Sequence, residues 1–270
     1  MKISRITTQK KNKNRYNIFL DDGQKETYGF SVDEAILVEY QLRKNMELDA
    51  SMIEMLVQKD TIHKSYTQTI NFLSYRMRTK KEIRDYLLKK EVDEEHIPVI
   101  MEKLEKENLI DDRQFADMFV RSRINTSSKG PMLIKKELIE KGVAADIAGQ
   151  AIESYSFEKQ YEKVLKWINK RMNQKKKDSY RKQLQQAQAN LVQKGFTQEV
   201  IQEAIANMEE TKDGDAEWEA VLYQGEKLWH KHSRKEEGFY LRNKVKEGLY
   251  RKGFSLELIN RFLNEKAEGE

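Results

Sequence analysis

Residues Leu138 to Ile152 read LIEKGVAADIAGQAI, the end of one helix, a reversal at Gly142 and the start of the next. The same phrase returns three times, as LLKKEVDEEHIPVIM from Leu87, LVQKGFTQEVIQEAI from Leu191 and LYRKGFSLELINRFL from Leu249. Aligned on Val92, Val143, Phe196 and Phe254, the copies hold Leu five residues earlier (Leu87, Leu138, Leu191, Leu249) and Lys two earlier (Lys90, Lys141, Lys194, Lys252). One earlier stand Gly142, Gly195 and Gly253, with Glu91 in the first copy. Three later the residue is acidic (Glu95, Asp146, Glu199, Glu257), and nine later it is apolar (Met101, Ile152, Ile205, Leu263).

A helix commonly closes with a left-handed residue just past its cap, and glycine takes that conformation without a Cβ clash. With Gly142 there, Leu138 falls three residues from the helix end and Val143 just beyond the glycine, the two positions whose side chains meet in a Schellman closure. Lysine at the cap suits the negative end of the helix dipole, and the acidic residue suits the positive start of the next helix. Asp93, Thr197 and Ser255 can cap that next helix, whereas Ala144 cannot. Glu91 in a left-handed conformation would cost about 1 kcal/mol. The first two junctions are therefore expected to be less regular than the last two.

The copies lie 51, 53 and 58 residues apart, room for about three short helices each. Repetition at such a period indicates units that bury their faces against their neighbours. The composition agrees. Of 270 residues, 35% are charged and 38% hydrophobic, which suits thin helical bundles better than one large core. The absence of cysteine excludes disulfides and thiolate metal sites and fits a reducing compartment. No apolar run reaches membrane-spanning length and no signal-peptide core opens the chain, so a cytoplasmic protein is expected. The net charge of +5 permits nucleic-acid contact without demanding it.

Met1 to Ser31 holds the only β-prone runs, with Asp21-Asp22-Gly23 as a turn, and predicts a small antiparallel sheet. The basic loop Lys10 to Arg15 is either a solvated hairpin loop or a contact for a phosphate or an acidic surface. Two helices should cover the sheet. One runs over Val32 to Met46 with Ala35, Ile36, Leu37, Val38 and Leu42 as its apolar face, and one starts near Asp49. The predicted fold is mainly α: a small α+β head (residues 1–64), then tandem three-helix repeats over 65–110, 111–156, 157–210 and 211–270, in an elongated, curved array. Thr79 with Glu82 forms a capping-box candidate, Pro131 suits a first helical position, and the acidic run Glu209 to Glu219 reads as a linker.

The sequence offers no catalytic constellation. Phosphate-loop, dinucleotide and nucleophile-elbow motifs are missing. His230 and His232 do not share a helix face, so no metal or other cofactor is expected. Carboxylates among lysines at helical spacing read as surface ion pairs, and the chain is read as a binding protein rather than an enzyme. Basic residues do gather at one place in each unit. Arg76, Arg78, Lys80, Lys81 and Arg84 surround the first inter-helix turn, and Arg121, Arg123, Lys129, Lys135 and Lys136 the second. Lys166, Lys170, Arg171, Lys175, Lys176 and Lys177 occupy the third. These are either solvated turns or a recurring contact for a polyanionic or acidic partner. Tyr75, Tyr86, Phe115, Phe119 and Trp167 sit at helical spacing and read as core rather than base-stacking platforms.

The run Leu73-Ser74-Tyr75-Arg76-Met77-Arg78-Thr79-Lys80-Lys81-Glu82-Ile83, then Leu109 to Ala116, then Gly130-Pro131 and Glu137-Leu138 with Lys141-Gly142-Val143, resembles the RecX family of regulatory proteins. The resemblance is strongest from Phe72 to Gly142 and continues through Phe254. It implies binding within the helical groove of the RecA recombinase filament on single-stranded DNA. It further implies inhibition of filament growth, ATP hydrolysis, strand exchange and co-protease activity, with no active site. A monomer that does not touch membranes is expected. Arg78, Lys81, Arg121, Arg123, Lys135 and Lys136 are expected to face the filament, with the other clustered basic residues beside them. The alternative is a helical-repeat protein that binds DNA or RNA directly, with no recombinase partner.

Overall fold

A computed structural model describes residues 1–172, 177–209 and 214–268. The chain forms two compact units. The first holds Met1–Phe115 with Lys141–Val143, and the second holds Ala116–Glu140 with the described residues from Ala144 onward.

The first unit opens with strands β1 (Lys2–Thr8), β2 (Arg15–Asp21) and β3 (Glu26–Asp33), antiparallel in the order β1-β2-β3. The Asp-Asp-Gly turn forms as read. Gly23 is left-handed at φ 94°, and the Asp21 carboxylate accepts from its N–H at 2.8 Å. Ile3, Ile18, Leu20, Phe30 and Val32 bury one face of the sheet.

Helix α1 (Glu34–Glu39) is far shorter than the Val32 to Met46 helix read from sequence. The reason lies at the sheet edge. The Ile3 N–H donates to the Met46 carbonyl at 2.9 Å, and the Asn45 N–H donates to the Ile3 carbonyl at 2.8 Å. The segment after α1 thus satisfies the open edge of β1 instead of continuing as helix, with Gln41 and Asn45 left-handed. Leu42 is buried as expected, but Val38 is 65% exposed and not part of the core.

Helix α2 (Ala50–Leu73) is one 24-residue helix where the sequence reads as two. Asp49 caps it by accepting from the Met52 N–H at 2.7 Å. Its first half covers the sheet through Leu56, Met52, Ile53 and Met55. Its second half gives Ile62, Tyr66, Ile70 and Leu73 to a three-helix core with α3 (Lys80–Lys89) and α4 (His96–Lys106). Head and first repeat therefore share a helix. The basic loop before β2 is partly accounted for, because Arg15 turns inward to pair with the buried Asp60 of α2 at 2.7 Å.

The chain continues through α5 (Asp112–Thr126), α6 (Pro131–Glu140), α7 (Ala145–Ile152), α8 (Phe157–Met172), α9 (Tyr180–Gln193) and α10 (Gln198–Glu209). Helices α11 (Gly214–His232), α12 (Gly238–Arg251) and α13 (Leu256–Glu268) complete the described residues and close around Val221, Val245, Leu249, Ile259 and Phe262. The acidic run read as a linker in fact contributes Gly214 to Glu219 to the start of α11, where Asp215 and Glu217 suit the helix dipole.

The four reversals are left-handed, with φ of 57° at Glu91, 90° at Gly142, 82° at Gly195 and 89° at Gly253. The first is more regular than expected. The Val92 N–H donates to the Leu87 carbonyl at 3.2 Å and the Glu91 N–H to the Leu88 carbonyl at 2.9 Å, the same pair of bonds that closes the third and fourth copies.

Candidate partner-binding surface

Each reversal except the first is also a docking point for the middle helix of the preceding repeat. In the first unit, Thr79 forms the expected capping box with Glu82 at the start of α3, and its hydroxyl donates to the Lys141 carbonyl at 2.7 Å. In the second unit, the Gly130 N–H before α6 donates to the Lys194 carbonyl at 2.7 Å, and the Met132 N–H donates to the Gly195 carbonyl at 3.0 Å. There too, the Ser179 hydroxyl at the start of α9 donates to the Lys252 carbonyl. The recurring lysine thus presents its carbonyl to the repeat before it. Its ammonium reaches the same way in two copies, Lys141 to Glu82 at 3.2 Å and Lys194 to the Ser128 hydroxyl at 3.0 Å.

This docking engages many of the basic residues singled out from sequence. Arg76 pairs with Glu82 at 3.0 Å. Burial pushes the Glu82 carboxyl up, but hydrogen bonds from Arg76, Lys141 and the Thr79 backbone outweigh it, and the net result lies down at about 2. Arg78 lies 3.5 Å above the Phe72 ring, which stacks on Tyr86 at 4.0 Å, so its guanidinium caps an aromatic pair. Lys80 pairs with Glu105 at 2.8 Å, while its backbone N–H donates to Asp112 at 2.9 Å. Lys81 packs its stem over Gly142, where a Cβ would come within 2.4 Å of it.

In the second unit Arg123 and Lys129 converge on Glu137, Arg123 at 2.8 Å. Burial raises that carboxyl, and the two cations more than offset it, holding it below the usual range. Lys136 is exposed beside Glu140 at 3.9 Å, and Lys135 is half-buried along Gly149. Arg171 is half-buried near the end of α8, and Lys175 and Lys176 lie outside the described residues. Arg84, Arg121 and Lys170 are exposed, with no ion-pair partner among the described residues.

The second unit also holds a cleft of about 200 Å³ lined by Ser127, Ser128, Lys163, Lys166, Trp167, Lys170 and Phe196. Lys163 donates to the carbonyls of Ile124 and Ser127, and burial lowers its ammonium from the ordinary lysine range. Trp167, read from sequence as core, is half-buried in the cleft wall. Among the described residues no group of three or more His, Asp or Glu could hold a metal ion, and no helix is long and apolar enough to cross a membrane.

The chain matches the Regulatory protein RecX N-terminal domain over residues 1–49, the RecX first three-helix domain over 66–104 and the second over 111–152. The RecX third three-helix domain matches twice, over 158–205 and 215–263. A Regulatory protein RecX of Oceanobacillus iheyensis is 58% identical over 271 residues, covering 100% of this chain and 99% of the relative. The chain belongs to the RecX family of regulatory proteins. A second relative, from Halalkalibacterium halodurans, is 40% identical over 97% of this chain and 99% of its own. A crystal structure of regulatory protein RecX superposes with a TM-score of 0.66 at 35% identity, covering 74% of this chain and 97% of that one. RecX from Lactobacillus salivarius gives 0.55 at 36% identity over 56% of this chain and 98% of that one.

The double match of the third domain agrees with the four reversals, since the last two repeats are of one kind. Sequence reasoning missed Lys163 and Phe196 as cleft residues. Their signal is faint, one lysine on an otherwise amphipathic helix and one aromatic after a glycine. It also missed an apolar residue left exposed one position after the recurring leucine in every copy, namely Leu88, Ile139, Val192 and Tyr250.

Proposed function

We propose that this chain is a non-enzymatic regulator of the RecA recombinase. It binds within the groove of the filament that RecA forms on single-stranded DNA. There it restrains filament growth, ATP hydrolysis, strand exchange and co-protease activity, in DNA repair and control of the SOS response. The observation that carries this reading is similarity to the RecX family along the entire chain. The chain acts as a cytoplasmic monomer with no cofactor.

The physical basis is multivalency. Four repeats that each offer modest contacts reach high avidity against a partner that itself repeats. A ligand spanning neighbouring protomers opposes the movements that ATP turnover requires, by its differential affinity for the two states. Among the residues expected at this contact, Arg84, Arg121 and Lys170 are exposed and carry no ion pair among the described residues, so they are the ones assigned to touch the partner directly. Lys81, Lys135, Lys136 and Arg171 are assigned to the same partner contact. Arg76, Arg78, Lys80, Arg123 and Lys129 shape the surface through their internal pairs. Reversing Arg84, Arg121 and Lys170 to glutamate together is expected to abolish inhibition of RecA ATP hydrolysis while leaving helicity intact. Undiminished inhibition by that variant removes the assignment.

A second reading, direct binding of single-stranded nucleic acid, is favoured by the lysine-lined cleft with Trp167 in its wall. Lysines for phosphate beside an aromatic face are the usual elements of such a site. It predicts quenching of Trp167 fluorescence by oligothymidine, weakening steeply with salt.

A further inference from the structure

The middle helix of one repeat docks on the Lys-Gly turn of the next three times within the chain. Two ends of that series are left over. Among the described residues, no middle helix docks on the Lys90-Glu91 turn and no Lys-Gly turn meets the start of α12. Both are exposed among the described residues. Lys90 and Glu91 are exposed and Val92 is half-buried, whereas the equivalent Val143, Phe196 and Phe254 are only 2, 6 and 3% exposed. At α12, Glu237 stands at the cap without a side-chain hydrogen bond, and Phe239 and Tyr240 are 73 and 71% exposed.

We propose that the start of α12 and the Lys90-Glu91 turn are matching halves of a head-to-tail contact between copies of this chain, and that the Glu91 side chain keeps the contact from forming. The three internal copies define what covers such a helix start: a left-handed turn that offers its lysine carbonyl. Among the described residues one such turn is left uncovered, so a second copy is the occupant that fits. The turns that are used all have glycine. A Cβ at Gly142 would stand 2.4 Å from Lys81 Cβ, one at Gly195 would stand 2.7 Å from the Leu133 backbone nitrogen, and one at Gly253 would stand 3.0 Å from Ser179 Oγ.

Glu91 already has the left-handed backbone of the other three turns and the closing hydrogen bonds of the Gly195 and Gly253 turns. By analogy with the three glycine turns, a side chain at this position stands where a helix start must fit. A contact between two different surfaces of the same chain propagates into open filaments unless something stops it, and repeat proteins need terminal units that refuse a neighbour. Glu91 is that stop.

Sedimentation velocity over a concentration series tests this with the full chain, Glu91→Gly, Glu91→Ala, and Glu91→Gly combined with Phe239→Asp and Tyr240→Asp. The wild-type chain and Glu91→Ala are expected to keep a concentration-independent sedimentation coefficient, because both retain a Cβ. Glu91→Gly is expected to sediment faster as concentration rises, and the combined variant to return to wild-type behaviour. Circular dichroism checks that helicity is unchanged. A Glu91→Gly chain that sediments like wild type overturns the proposal. So does assembly of the wild-type chain or of Glu91→Ala to the same extent as Glu91→Gly, and so does assembly that survives the two α12 substitutions.

Discussion

The Thr79 hydroxyl donates to the Lys141 carbonyl at 2.7 Å across 62 residues of chain, while its oxygen also accepts from the Glu82 N–H. One buried side chain therefore caps the start of α3 and binds the carbonyl that precedes the Gly142 turn. Replacing it by alanine removes both bonds from groups that are partly buried. Thr79→Ala is expected to lower unfolding free energy by about 2 kcal/mol, read from urea denaturation.

Gly142 and Gly23 share a left-handed backbone but not a setting. A Cβ at Gly23 meets nothing within 4 Å, whereas one at Gly142 runs into the Lys81 stem. Gly23→Ala is expected to cost about 1 kcal/mol for the backbone alone. Gly142→Ala should cost at least about 1 kcal/mol more, because Lys81 and α3 must shift. Equal losses would mean that the turn is not packed as described.

Glu82 links stability to acid. Its carboxyl sits at about 2 instead of the ordinary 4.5, so the folded state holds the ionised form more strongly than the unfolded chain does. That contribution is complete above about 4.5 and is lost as the pH falls through about 2. Wild type is therefore expected to be more stable than Glu82→Gln at neutral pH by on the order of 2 kcal/mol. The gap should close across that acid window. Paired denaturation curves between pH 7 and pH 2 measure it, and a gap that stays constant would contradict the assignment.

Cations with and without an ion pair among the described residues should separate cleanly. Arg123→Ala leaves Glu137 with one of its two cations, and a loss of about 1 kcal/mol is expected. Arg84→Ala and Arg121→Ala are expected to stay within about 0.5 kcal/mol of wild type, as for surface changes that break no pair. Thermal denaturation of the three variants checks the order.

The repeat was legible because its reversals impose a local requirement: a leucine, a lysine, a left-handed residue and an apolar residue in fixed order. The capping box at Thr79 and the turn at Gly23 were legible for the same reason, since both are settled within four residues. What the sequence did not disclose depended on distant partners. Nothing near Val38 shows that the chain leaves helix to cover the edge of β1. Nothing between Ala50 and Leu73 marks where the head ends, because one helix serves two cores. Basic residues could be singled out, but periodicity cannot tell Arg123, held by Glu137, from Arg121, which has no ion pair among the described residues. Glu91 read as an irregularity, and it is a regular turn whose side chain has no repeat to accommodate.

The most direct test is a titration of this protein, at matched salt, against naked single-stranded DNA and against the same DNA coated with RecA. A regulator that grips the filament binds the coated DNA more tightly and slows its ATP hydrolysis in proportion to occupancy. Equal or tighter binding to the naked strand, with hydrolysis unaffected, would contradict it.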